Sequence, residues 1–241
     1  MGHFPLSSSP SRGCVICVYI REAVEVFRIS CLFFLFLFLF LFFLLLVMTP
    51  IEHPPYLTCR VLLIIDVQMY LLRNPEDGGV PAAHAIRQNI QSILSKARSE
   101  DHPPRIIHVR NNGEPSEPDE PNTPGWELFF QPLPHEPIVD KKKNNAFAGT
   151  RLGDLIPETA EVIVVGMQSD YCVRATCSAA LDRGNEVILI RGAHATLDRN
   201  EIWNDGGVTE AHVIEAEIED ELEEAGVVVL DMKVLPDLFT D

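Results

Sequence analysis

The chain has 241 residues, a formal net charge of −16, 46% hydrophobic and 22% charged residues, and six cysteines. That length allows one large or two small domains. The apolar fraction suffices for a packed core and is too high for a wholly disordered chain. So acidic a balance argues against nucleic acid as a partner, and the cysteines are too sparse for a disulfide scaffold.

The first fifty residues differ from the rest. Residues 31–48 read CLFFLFLFLFLFFLLLVM, carry no charge and hold seven of the thirteen Phe. Residues 1–47 contain three Arg and two Glu, a net +1, which leaves −17 on residues 48–241. A helix of that apolar length just spans a bilayer core, and Arg12, Arg21 and Arg28 precede it as in a signal-anchor. A Phe/Leu alternation is also what a translated polypyrimidine tract looks like, and Met48 follows directly. The expectation is that residues 1–47 come from a mis-called gene start, that the working protein begins near Met48, and that it is cytoplasmic. The alternative is a membrane anchor through residues 31–48. Cys14 and Cys17 have the spacing of a metal pair but no second pair downstream.

From Met48 onward the chain reads as one α/β domain. Val61–Ile65 is a continuous apolar run, as expected of a strand buried on both faces. Residues 82–98 place Ile86, Ile90, Ile93, Leu94 and Ala97 on one helical stripe. Pro103-Pro104 stops that helix before a second strand at Arg105–Val109. Residues 111–137 are rich in Pro, Glu and Asn, yet Trp126, Phe129 and Phe130 are too apolar for a plain linker; a loop packed over the active face is expected. Further strands are expected at Ile138–Val139, Glu161–Gly166, Glu186–Arg191 and Val227–Leu230. Helices are expected at Tyr171–Arg183, closed by Gly184 at C′, and at Val208–Ala225. This alternation predicts a three-layer α/β/α fold around a six-stranded, mostly parallel Rossmann-like sheet.

In such a sheet ligands bind at the carboxyl ends of the strands. Asp66 stands directly after the first strand, where in isolation a helix N-cap or turn residue is the favoured reading and a catalytic carboxylate the alternative. Cys172 follows the fourth strand and is expected in the first turn of a helix, where free N–H groups and the helix dipole would lower its thiol pKa and hold an oxyanion. A buried, inert cysteine fits the same position, and fits Cys177 better. Lys141 opens a run of three lysines after the third strand, and composition alone does not choose among them.

Together these stretches resemble the isochorismatase-like cysteine hydrolases, the superfamily that includes nicotinamidases and N-carbamoylsarcosine amidohydrolase. The matching residues are Asp66-Val67-Gln68; Lys141, Phe147, Gly149 and Thr150 in a Lys-x5-Phe-x-Gly-Thr pattern; and Gly166-x3-Asp170-x-Cys172-Val173, continued by Arg174-Ala175-Thr176 and Ala180 to Gly184. The resemblance implies an Asp66–Lys141–Cys172 triad that cleaves a C–N bond in a small amide, carbamoyl or lactam compound through a Cys172 thioester. It also implies a cis peptide between Met167 and Gln168, with the N–H groups of Gln168 and Cys172 as the oxyanion hole.

Nicotinamidases carry an Asp-x-His metal motif after the second strand. Here that stretch reads His108-Val109-Arg110-Asn111-Asn112-Gly113, and no Asp-x-His occurs in the chain. The expectation is therefore a metal-free, cofactor-free amidase, with His84, His102, His108 and His135 as surface or core residues. Trp126, Phe147 and Tyr171 are expected as pocket walls or, equally, as ordinary core packing, with Gln68 and Asn122 orienting polar groups. The acidic run Glu215–Glu224 reads as a solvated helix face. The resemblance further implies a homo-oligomer. The rival reading is a catalytically silent binding or scaffold protein.

Overall fold

A computed structural model describes residues 59–201 and 206–240. Residues 1–58, with the Phe/Leu tract and the Cys14/Cys17 pair, lie outside the described residues. Among the described residues no helix is long and apolar enough to cross a membrane.

The chain runs through β1 (Arg60–Ile65), α1 (Met69–Leu72), α2 (Ala83–Ser99), β2 (Arg105–Asn111), β3 (Ile138–Lys141), α3 (Leu152–Leu155) and β4 (Glu161–Met167). A five-residue π turn (Ser169–Val173) leads into α4 (Arg174–Asp182). Then come β5 (Glu186–Ala195), a hairpin of β6 (Arg199–Glu201) and β7 (Gly207–Thr209), α5 (Ala211–Ala225) and β8 (Val228–Asp231). Six strands form one sheet in the order β3-β2-β1-β4-β5-β8, and every neighbouring pair is parallel. The fold is the expected α/β/α arrangement, with β3 and β8 at the edges.

Successive strand residues face opposite sides, and β1 divides its side chains accordingly. Val61, Leu63 and Ile65 join the cluster under α4 and α5, while Leu62 and Ile64 join the one under α2. All five stripe residues of α2 are buried there. Helix α4 ends at Gly184 (φ +94), whose N–H donates to Leu181 O at 2.8 Å, the C′ role foreseen for it.

Four differences have local causes. Strand β5 continues past Arg191 to Ala195 because its register with β4 shifts between Val164 and Gly166, and pairing resumes at His194. On its other side Gly166 (φ +126) lies close against β1, where a Cβ would stand 2.0 Å from Ile65 O. Helix α5 starts at Ala211 because Gly207–Thr209 pairs with β6, and Asp198 Oδ1 accepts the Ala211 N–H at 2.8 Å. The acidic face of α5 is not wholly solvated. Glu219 is buried and accepts from Arg191 (2.6 Å) and His194 (3.1 Å), and half-buried Glu215 accepts the Thr196 N–H at 3.0 Å. The short helices α1 and α3 and the β6–β7 hairpin had no periodicity to announce them.

Residues 111–137 pack as a loop against α1. Met69 N donates to Glu127 O (2.9 Å), Tyr70 N to Gly125 O (3.2 Å) and Phe129 N to Val67 O (2.9 Å). At its far end buried Glu136 accepts from Arg98 and shares an oxygen with His108 Nε2 at 3.0 Å.

Candidate active site

Three strands end at the same, carboxyl, end of the sheet. Asp66 leaves β1 with φ +50, a left-handed backbone unusual outside glycine, and its N–H donates to Val109 O at 2.9 Å. Lys141 is the last residue of β3, and Cys172 sits in the π turn after β4. Since β3 is two strands from β1, at ~4.8 Å per strand, only a long side chain can reach across. The lysine does so fully buried. Its Nζ donates to Asp66 Oδ2 at 2.7 Å, to Asn111 Oδ1 at 3.0 Å and to Cys172 Sγ at 3.2 Å. All three ammonium hydrogens are thereby used.

Asn111, at the end of the intervening β2, is the support that sequence reasoning missed. Its Nδ2 donates to buried Asp119 Oδ2 at 2.7 Å, and a carboxylate only accepts, so Oδ1 is turned to Lys141. Its backbone is clamped by Gln68, which accepts the Asn111 N–H at 2.9 Å and donates to Asn111 O (3.1 Å) and Trp126 O (3.0 Å). Gln68 is therefore a buried strut joining the loop to β2.

A cavity of about 160 Å³ opens on Cys172, lined by Asp66, Tyr70, Asn111, Asn144, Gln168 and Tyr171 among others. Gln168 and Cys172, the two residues assigned to the oxyanion hole, both line it, and the Met167–Gln168 peptide is cis. Tyr171 is half exposed at its rim. Trp126 is not a wall: its ring lies under the Arg110 guanidinium at 3.3 Å, and its Nε1 donates to Asn112. Phe147 is not one either, being packed on the core with Arg183 over its ring at 4.8 Å. Asn122 (φ +69) stays on the loop outside the lining. Tyr70, Asn111 and Asn144 are the wall residues that sequence missed. Asn111 was findable, because β2 must end between the two strands that carry Asp66 and Lys141.

The electrostatics overturn one expectation. Burial pushes the Cys172 thiol up to about 12, with the Asp66 charge adding to it and Lys141 only partly offsetting both. The π turn does place Cys172 in the first turn of the helical segment that runs on into α4, the position foreseen for it, but burial and the Asp66 charge set the thiol. Burial also raises the Asp66 carboxyl, against the pull of Lys141. Burial draws Lys141 down, but the charges of Asp66 and Cys172 outweigh it and raise it. Asp66 Oδ1 is buried with no hydrogen-bond partner among the described residues, an open acceptor for the thiol proton.

Of the histidines, His84, His102 and His135 are exposed. His108 is buried against Glu136, and His194 Nδ1 meets Ser169 Oγ at 2.9 Å. Cys177 is buried and Cys59 exposed. Among the described residues no three His, Cys, Asp or Glu side chains gather in a metal-holding group.

The Isochorismatase domain family model matches residues 60–211. Two streptothricin hydrolases of Streptomyces noursei are 40% and 37% identical to this chain, each over 143 residues. These matches take in 58% of this chain but only 55% and 50% of the relatives, so the chain spans about half the length of those relatives. The isochorismatase family protein YddQ of Bacillus subtilis is 30% identical over 148 residues, 56% of this chain and 77% of its own. Among solved structures, an isochorismatase of Pseudomonas putida aligns with a TM-score of 0.65 and 28% identity, covering 73% of this chain and 89% of that one. An N-carbamoylsarcosine amidase of Thermoplasma acidophilum shares the fold at a TM-score of 0.57 and 18% identity, over 72% of this chain and 96% of that one. With the domain match running from β1 to the start of α5 through every residue of the cavity, the chain belongs to the isochorismatase family.

Proposed function

We propose that the protein is a cysteine-dependent hydrolase that cleaves a C–N bond in a small amide, carbamoyl or lactam compound. The observation that carries this reading is the Lys141 ammonium bonded at once to Asp66 and to Cys172, beside a cavity. Cys172 Sγ attacks the carbonyl carbon as its proton passes to Asp66 Oδ1, which makes a thiolate only when it is needed. The Gln168 and Cys172 N–H groups receive the negative oxygen. As the C–N bond breaks, Asp66 returns the proton to the leaving nitrogen and an acyl thioester remains. Water then attacks the thioester carbonyl, giving its proton to Asp66. The acid leaves, and the sulfur recovers its proton from Asp66. Lys141 stays charged throughout and holds Asp66 in line.

The relatives named streptothricin hydrolases make streptothricin the first compound to test, beside simple amides, N-carbamoyl compounds and lactams. Hydrolysis by the native protein, a mass increment on Cys172 equal to the acyl group after acid quench, and loss of both in Cys172→Ala are expected. A Cys172→Ala protein that turns over as fast as the native one would refute the reading. A folded protein inert to the whole panel would favour the silent-scaffold alternative.

A further inference from the structure

The cavity at Cys172 offers no free cation from its lining. Its lining holds one acid, Asp66, and no base. Lys141 lies behind it with every ammonium hydrogen committed, so that pair is self-neutralised and offers no cation to a ligand. Behind Asn111 stands the buried Asp119 carboxylate, which faces no cation within ion-pair distance among the described residues. Tyr70 stands in the cavity wall. Burial raises its phenol first, and Asp119, Asp66, Cys172 and Glu117 all push in the same direction.

The approaches are no more favourable to an anion. A neighbouring cavity of about 350 Å³ shares Gln168 and Tyr171 and adds Asp170, Asp198 and Arg199. That arginine is engaged by Glu201 at 3.0 Å and Asp170 at 3.8 Å. The groove beyond Tyr70 carries Arg73, which makes no ion pair among the described residues, with Glu117 in the same lining. Arg110 is paired with Asp140 and stacked on Trp126. A carboxylate brought to Cys172 would be desolvated without a counter-ion, among like charges.

We infer that the site selects by charge: its substrates are neutral or cationic at the amide-bearing end, and carboxylate-bearing amides are rejected. This rests on the hydrolase reading above for the word substrate, but its test does not need turnover. The intact protein is treated at low salt with two methanethiosulfonates of similar size, one bearing a trimethylammonium group and one a sulfonate. In each case the cysteine sulfur bonds to the reagent's thiol sulfur and methanesulfinate leaves. Rates are read at Cys172 and at exposed Cys59 by peptide mass mapping. The Cys59 ratio removes the attraction exerted by the chain's overall charge.

The cation-to-anion rate ratio at Cys172 should exceed that at Cys59 by at least tenfold. Asp119→Asn should shrink the excess, because it removes one charge while keeping an oxygen for Asn111 Nδ2. Equal ratios at the two cysteines, faster modification by the sulfonate, or no modification of Cys172 by the cationic reagent would overturn the inference. An intact ratio in a protein that hydrolyses no amide would sink the functional proposal alone. Turnover of carboxylate-bearing and cationic amides at equal kcat/KM would sink the charge selection alone.

Discussion

Replacing Asp66 by Asn separates a pre-formed thiolate from one made during attack. Asn is nearly isosteric and tolerates the left-handed backbone at this position, φ +50. Carboxylate and sulfur contact the same ammonium nitrogen at 2.7 and 3.2 Å and so lie within about 6 Å of each other. At an effective dielectric of about 20, unit charges at that separation interact by about 3 kcal/mol, or about two pKa units. Without the carboxylate, the thiol should fall by that amount from about 12, and its thiolate fraction at neutral pH should rise about 100-fold. Lower basicity makes each thiolate about tenfold less nucleophilic, so iodoacetamide labelling of Cys172 should quicken by about tenfold. Hydrolysis should meanwhile fall by about 10² to 10⁴, the usual worth of a positioned acid–base group. The assay is per-cysteine labelling at pH 7 by mass spectrometry, with buried Cys177 as internal standard and circular dichroism as the fold check. Slower or unchanged labelling of Cys172 in a folded variant would refute the electrostatic account; retained hydrolysis would refute the role of Asp66.

Three further outcomes follow from the same structure. Because burial raises the Asp66 carboxyl, kcat/KM should fail on the acid side above the ordinary aspartate range of about 3.9, and it should hold through pH 9 because Cys172 stays protonated to about 12; an alkaline limb near pH 8 in a pH–rate profile would contradict this. Glu136 is held down at about 2: burial opposes this, but Arg98, the Leu133 N–H and His108 outweigh it. Its stabilisation is present above the unfolded carboxyl range of ~4.3 and is lost toward pH 2, so the Tm deficit of Glu136→Gln, worth about 2–3 kcal/mol at pH 7, should narrow as pH drops from 5 to 3. Gly166→Ala should cost more than about 4 kcal/mol in urea unfolding, because its Cβ would meet Ile65 backbone atoms at 2.0 to 2.8 Å; a near-native midpoint would show that the β1–β4 approach yields.

What was legible followed from long, strongly patterned segments. The Val61–Ile65 run, the α2 stripe and Gly184 each carry their structural reason in the residues themselves, and each is where it was expected. The π turn at Cys172 was not legible, since the expected helix over Tyr171–Arg183 carries no residue pattern that distinguishes it from the observed start at Ser169, where the Val173 N–H reaches back to Gln168 O. Nor was buried Glu219, indistinguishable in sequence from the solvated acids around it until His194 and Arg191 are brought opposite. At the site, Asp66 and Cys172 fell at strand ends but each left a bland reading open, and it was the family resemblance that chose Lys141 among three lysines and joined the three residues. Tyr70, Asn111 and Asn144 are common residue types whose role comes only from what they face. Trp126 misled for the opposite reason: a large aromatic on a loop reads as a wall, and here it is a platform for Arg110.

The position of Lys141 has a consequence for heat inactivation. It sits on the last residue of a four-residue edge strand, paired along one side only, while Asp66 and Cys172 hang from central strands. Edge strands with little pairing open more readily than the core of a sheet. When β3 frays, Asp66 loses its partner although the other strands remain paired. The protein should therefore lose its chemistry several degrees before it loses its sheet, with amide exchange at Ile138–Lys141 marking the first step.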